Sequence, residues 1–424
     1  MLLAELVETH AAVAGTRSRL QKRALLAAAL RSAGEDEAEI VASFLSGRPR
    51  QRRTGVGWRS LAELPEPTPA PSLTPTDVDL ALEELSTLAG TGSQAARARA
   101  VRGLFSQATT AEQHFLRALM LGELRQGALD SVLLDAIAEA ADVPVSLVRR
   151  AAMFSAFSGP IASAALAGGS EALERFQLEV GRPVRPMLAA SAADVAAALE
   201  KTGTAFVADG KIDGIRVQVH RAGDDVTIFT RSLDDITDRL PEVVGVARTL
   251  PTDAVVLDGE AIALGPDGRP RPFQETGSRT MSRDGATLRE QVPLTVYFFD
   301  VLHLDGRDLI DSPASERFRA LGALVPDEAT VPRCFSPDAE QIETFFREMI
   351  ARGHEGVVVK NLDAPYDAGR RGSAWVKVKP RHTLDLVVLG VEWGSGRRQG
   401  TLSNIHLAPA TATASSCSAR PSRA

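Results

Sequence analysis

Cysteine is nearly absent: Cys334 and Cys417 are the only two in 424 residues, and they stand far apart. Neither a disulfide framework nor a cysteine-based metal site can be built from them, so a reducing cytosol is the expectation. Long apolar runs are missing too. No segment approaches the roughly 18 apolar residues of a membrane span, and the opening "MLLAELVETHAAVAG" carries Glu5 and Glu8 where a signal peptide needs an apolar core. Nor is there a basic excess. A net charge of −6 and a pI near 5.8 argue against a protein-wide nucleic-acid footprint. Locally, "TRSRLQKR" (Thr16–Arg23) and "RPRQRR" (Arg48–Arg53) are basic, but such runs alone read as a solvated face or loop. What is present, 44% apolar and 24% charged residues, is the composition of a soluble globular protein long enough for two or three domains.

Residues 1–180 read as helical. In "TTAEQHFLRALMLGEL", Thr109 and Glu112 form a capping box, and Phe115, Leu116, Leu119 and Met120 share one helical face. "GALDSVLLDAIAEAADVP" repeats the pattern and stops before Pro144, which then opens a third helix. "LPEPTPAPSLTPTDVDL" is a linker. Near residue 181, at "GRPVRPMLAAS", short alternating runs take over: "IRVQVHR", "VTIFTRS", "VVLDGEAIAL", "LTVYFFDVLHL", "EGVVVK", "WVKVK". They predict an α+β domain over 181–382 with antiparallel sheets. Two helices interrupt them, the second opening near Asp338 and closing at Gly353. Residues 383–407 start a further strand and loop. The tail 408–424 has no Val, Ile, Leu, Phe, Tyr or Trp, so it is expected to be disordered and unable to extend a sheet.

The chemistry collects around "DGKIDGIR". Asp213-Gly214 is an ordinary turn signal, and a lysine beside a turn needs no function. Yet Lys211 can serve as a nucleophile if burial or positive neighbours favour its neutral amine, and Lys377 and Lys379 of "WVKVKP" lie two apart, on one side of a strand. Glu260 and Glu355 stand at strand ends, where carboxylates can hold Mg²⁺ beside lysines that hold phosphate oxygens. Phe298 and Phe299 point to opposite faces of their strand, so at most one can leave the core.

Taken in order, "DGKIDGIR", "FTRSLDDIT", "VVLDGEA", "VYFFDVL", "EGVVVK" and "WVKVKP" resemble the ATP-dependent DNA ligases of the covalent nucleotidyltransferase superfamily. The bacterial type similar to the eukaryotic replicative ligase fits best, with "FLRALMLGELRQGAL" and "RPVRPMLA" matching its DNA-binding domain and junction. The resemblance implies an all-α DNA-binding domain, an adenylation domain and, from residue 383, an OB-fold of which 383–407 is only the start. It implies that Lys211 takes AMP from ATP and that a 5′-phosphate/3′-hydroxyl nick in duplex DNA is sealed by a monomer. Arg216 and Glu260 would lie on the ribose or metal side, Arg231 at the sugar or nick phosphate, and Phe299 under the adenine. Glu355 would bind Mg²⁺, and Lys377 and Lys379 would contact the α-phosphate. Asp209 stands where the family usually has a glutamate that helps recognise adenine. With so little OB-fold the chain is expected to be weak in self-adenylylation and in sealing. An RNA ligase or capping guanylyltransferase usually lacks the helical front half; a non-catalytic nick-binding protein is the alternative from another class.

Overall fold

The computed structural model describes every residue except 35, 52, 125–129, 282–290, 337, 381–382, 395–399 and 410–424. Contacts divide the chain into Met1–Ala140 with Arg381–Ala424, and Ala141–Pro380. The first division thus falls some forty residues before the composition change at 181, because residues 141–180 pack with the sheets rather than with the leading helices.

The first unit begins with helices α1 (Leu3–Gly15), α2 (Arg19–Ser32), α3 (Ala38–Leu45), α4 (Pro75–Thr87), α5 (Ser93–Phe105), α6 (Thr110–Met120) and α7 (Asp130–Ala141). The capping box at α6 forms as expected: the Thr109 hydroxyl accepts from the Glu112 N–H, and Glu112 Oε2 takes the Thr109 N–H at 2.8 Å. The basic run at Thr16–Arg23 is largely helical rather than loop. Arg19 pairs with Asp135 at 2.9 Å and Arg23 with Glu139 at 2.5 Å, joining α2 to α7. The C-terminal residues form a hairpin of β11 (Leu386–Trp393) and β12 (Leu402–Pro409). Here the expectation of an unpaired tail from 408 is corrected: Ala408 and Pro409 pair with Val387 and Leu386, and Ala408 is buried. Backbone ladders accept such residues at a strand end whatever their side chains. The rest of the tail lies outside the described residues.

The second unit opens with α8 (Val145–Met153), which Pro144 immediately precedes, and α9 (Gly159–Glu174). Two five-stranded sheets follow. The first contains β1 (Leu188–Ser191), β2 (Phe206–Gly210), β8 (Arg333–Cys334), β9 (Val357–Asn361) and β10 (Arg371–Val378), in the order β1-β10-β9-β2-β8. Only the β1–β10 pair is parallel. The second contains β3 (Ile215–Ala222), β4 (Asp225–Thr230), β5 (Ala254–Ala263), β6 (Leu294–Leu304) and β7 (Arg307–Asp308), ordered β4-β3-β5-β6-β7 and antiparallel throughout. Apolar residues alternate with polar ones along β3 and β6, so one face of this sheet buries Val217, Val219, Val296 and Phe298 in a core. Helices α10 (Val195–Thr202), α11 (Pro241–Thr249), α12 (Phe273–Met281), α13 (Ala314–Leu324) and α14 (Ala339–Ala351) complete the unit. Asp338 caps α14, accepting from the Glu340 N–H at 3.0 Å. Among the described residues no helix is long and apolar enough to cross a membrane.

Candidate active site

Lys211 follows β2 without a gap, and its backbone is held on both sides. Its N–H donates to the Gly356 carbonyl at 2.8 Å, and its own carbonyl accepts the Glu355 N–H at 3.0 Å. The pairing fixes Glu355 directly opposite Lys211. Gly356 has φ of 137°, and a side-chain carbon there would lie 2.1 Å from the Val378 carbonyl oxygen. Only glycine permits that approach of β9 to β10.

The side chains complete the cluster. Glu355 Oε2 pairs with Lys211 Nζ, and Glu355 Oε1 with Lys379 Nζ at 2.5 Å. Burial alone would raise the Glu355 pKa; the hydrogen bonds from Lys211 and Lys379 outweigh it and hold the carboxyl below its usual range. Lys377 lies within reach of the same field. Burial, then Arg371, Lys211, Lys379 and Arg231, push its pKa down. The field on Lys377 therefore comes from four other cations, of which Arg371, Lys379 and Arg231, the residue after β4, are exposed.

Glu260 faces Arg216 across the β3–β5 ladder. Its carboxylate has no ion-pair partner among the described residues, and burial pushes its pKa up to about 7 against the pull of Arg216 and Lys211. Arg216 is committed elsewhere. It donates to Asp258 at 3.0 and 2.6 Å, to the Met187 carbonyl at 2.6 Å and to the Tyr366 hydroxyl at 3.1 Å. Tyr366 in turn donates to Asp258 at 2.6 Å. The sequence placed Arg216 on the ligand side; the structure shows it as the centre of a buried polar knot, with Asp258 and Tyr366 as members that sequence reading missed.

Phe298 and Phe299 separate as expected, but through a β-bulge. Asp258 pairs with Asp300 and Gly259 with Phe298, which leaves Phe299 as the extra residue. A side chain at Gly259 would meet the Phe298 ring and the Tyr297 carbonyl at 2.9 Å, so glycine makes room for the bulge. Phe298 is fully buried, whereas Phe299 sits between Arg216, 5.5 Å from its ring centre, and Lys360, 4.6 Å away. Asp209, two residues before Lys211, does not stand open. It is 2% exposed and bound by Arg333 and Lys360. Burial alone would raise its pKa, but Arg333 and Lys360 outweigh that and lower it. Lys360 ends the quoted "EGVVVK", while Arg333 belongs to no motif.

Comparison with known proteins decides the lineage. Residues 186–379 match the family described as ATP dependent DNA ligase domain, and residues 59–138 match DNA ligase N terminus. A "Probable DNA ligase" of Beutenbergia cavernae is 58% identical over 415 residues, covering 96% of this chain and 81% of that protein. One from Nocardioides sp. is 57% identical over 413 residues, covering 96% and 80%. The chain belongs to the ATP-dependent DNA ligase family. Its architecture agrees: a solved structure named Pmar-Lig_PreS3 superposes with a TM-score of 0.59, at 18% identity, over 95% of this chain and 84% of that one. The helical front half, the two-sheet adenylation unit and a hairpin in keeping with part of an OB domain are the family's parts. Members use ATP as adenylate donor with Mg²⁺.

Proposed function

We propose that this chain seals 5′-phosphate/3′-hydroxyl nicks in duplex DNA, as a cytosolic monomer, through a lysyl-AMP at Lys211. The observation that carries the residue assignment is Glu355 shared between Lys211 and Lys379 at one strand end, with Phe299 raised by the bulge nearby. An ammonium has no lone pair, so Lys211 must lose its proton before it attacks. Glu355 orients the amine from Oε2. Once Glu355 is engaged elsewhere, Lys377, Lys379 and Arg231 remain as like charges, which favour the neutral amine. Lys211 Nζ then bonds to the α-phosphorus, the bond from that phosphorus to the bridging oxygen breaks, pyrophosphate leaves and the proton goes to solvent. A 5′-phosphate oxygen of the nick next attacks the α-phosphorus, the bond from that phosphorus to Lys211 Nζ breaks, and the lysine leaves as an amine that regains its proton from solvent. The 3′-hydroxyl attacks the phosphorus of the 5′-phosphate and AMP departs.

In this reading Lys377 and Lys379 contact the α-phosphate, Arg231 the sugar or nick phosphate, and Phe299 stacks on adenine. Arg216 acts on the ribose side while held by Asp258, and Asp209 supports the base end. Glu355 and the unpaired, part-buried Glu260 suit Mg²⁺, which takes one or two carboxylates and shares phosphate oxygens. When bound, the ion supplies neutralisation of the charge on the transferring phosphoryl group. The helical unit would grip duplex phosphates without reading sequence.

Incubation with ATP labelled in its α-phosphate, Mg²⁺ and then a nicked duplex tests this reading. Label is expected on the protein, then on the DNA, and Lys211→Ala should abolish both. Undiminished labelling of Lys211→Ala would remove Lys211 from its role.

A further inference from the structure

Behind Phe299 lies a buried ion cluster in which Asp209 is held by two cations, Arg333 and Lys360, that the mechanism leaves unused. Arg333 Nε and Nη2 reach Asp209 at 2.5 and 2.9 Å, and Nη2 also donates to the Phe299 carbonyl at 2.8 Å. Its guanidinium lies 3.7 Å from the centre of the Phe318 ring. Lys360 Nζ takes the other side, 2.7 Å from Asp209 Oδ2 and 4.3 Å from the Trp375 ring. The three charged side chains are only 3 to 6% exposed. Asp209, Arg333 and Lys360 come from the first sheet, Phe299 from the second. The cluster therefore fastens one sheet to the other at the bulge, one residue of β2 away from the strand end that leads into Lys211.

We propose that Arg333 is a positioning residue for the nucleotide: by tying the Phe299 carbonyl to Asp209, it fixes the stacking ring relative to Lys211. The planar fork is what makes this work. One guanidinium serves the carboxylate and the carbonyl together at 2.5 to 2.9 Å, whereas the Lys360 ammonium, 2.7 Å from Asp209, reaches the Phe299 carbonyl only at 3.4 Å. In this chain the position two before the nucleophile thus supports base binding from behind the ring, because its carboxylate is spent inside the protein. The inference rests on Phe299 as the adenine platform.

The test is the ATP dependence of the initial rate of Lys211 labelling in the full chain, for Arg333→Met, Arg333→Lys and Phe299→Ala. Loss of ground-state positioning raises KM with kcat kept. Arg333→Met is expected to raise KM for ATP about tenfold and Arg333→Lys about threefold, with kcat within about twofold. The lysine variant, which restores the charge pair with Asp209, should melt close to the parent. Parental KM in both Arg333 variants, alongside a raised KM in Phe299→Ala, overturns the proposal and leaves the platform standing. Parental KM in Phe299→Ala overturns the platform itself. Failure of both Arg333 variants to fold makes Arg333 purely structural, which also overturns it.

Discussion

Two carboxylates of the adenylation unit, Asp209 and Glu355, each hold two cations, and they do so in opposite surroundings. Glu355 joins Lys211 and Lys379 where the side chains are 21 to 43% exposed. Asp209 joins Arg333 and Lys360 where all are 3 to 6% exposed. Water near Glu355 screens its pairs, so they can exchange for a ligand at small cost. Around Asp209 no such exchange is open, since a broken buried pair leaves an uncompensated charge. The same motif of one acid between two bases thus makes a movable site in one place and a fixed mount in the other.

The comparison breaks most sharply by neutralising each acid. Asp209→Asn would leave Arg333 and Lys360 buried without a counter-charge and is expected to lower stability by about 3 kcal/mol. Glu355→Gln should change stability by less than about 1 kcal/mol. It should nonetheless slow Lys211 labelling about a hundredfold, the scale of losing one preorganised charge partner. Urea unfolding and label incorporation measure the two. A stable Asp209→Asn beside an unfolded Glu355→Gln would erase the distinction.

A second buried group sharpens it through pH. His220 is 1% exposed; its Nδ1 accepts the Gly181 N–H at 3.0 Å and its Nε2 contacts Gln218 Oε1 at 2.9 Å. Burial, then His303, depress its pKa from 6.5 to about 3. The unfolded chain binds this proton first as pH falls. The stabilisation from neutral His220 is therefore complete above about pH 6.5 and is lost progressively toward pH 3. By pH 4.5 the loss is about 3 kcal/mol. Thermal unfolding from pH 7 to 4.5 should show it, and His220→Gln should flatten the slope in that window. An unchanged slope would place the acid sensitivity elsewhere.

How much of this was legible depended on whether the signal was local. Lys211, Glu355 and Lys379 sit at the ends of strands with clear alternation, so their pattern was readable and the ladder brought them together. Capping of α6 and α14 was equally local. Arg333 was not readable. Its strand is two residues long, and its partners Asp209 and Phe299 are distant in sequence, so only the tertiary fold reveals the fork. The bulge at Phe299 and the parallel β1–β10 pair were invisible for the same reason, because register across strands is not written in either strand alone. The ties that hold Arg216 were not readable, because a free arginine and a carboxylate-bound arginine look alike in sequence; its partner Tyr366 lies 150 residues on.

The smallest expected effect concerns Glu260, on the open side of the comparison. Burial pushes its pKa up from 4.5 to about 7. For a carboxyl raised in this way, the folded form binds its proton more tightly than the unfolded chain. The resulting stabilisation is present below about pH 4.5 and lost as pH rises through 7. Its ligand-holding form, the carboxylate, gains population over the same rise. Labelling of Lys211 at fixed subsaturating Mg²⁺ should therefore climb a few-fold between about pH 6 and 8, while unfolding free energy falls by about 1 kcal/mol over the same range. Glu260→Gln should remove the apparent pKa near 7 from the rate profile. If the inflection persists in Glu260→Gln, the titrating group belongs to the Lys211–Glu355–Lys379 cluster, and the open site is governed by its cations alone.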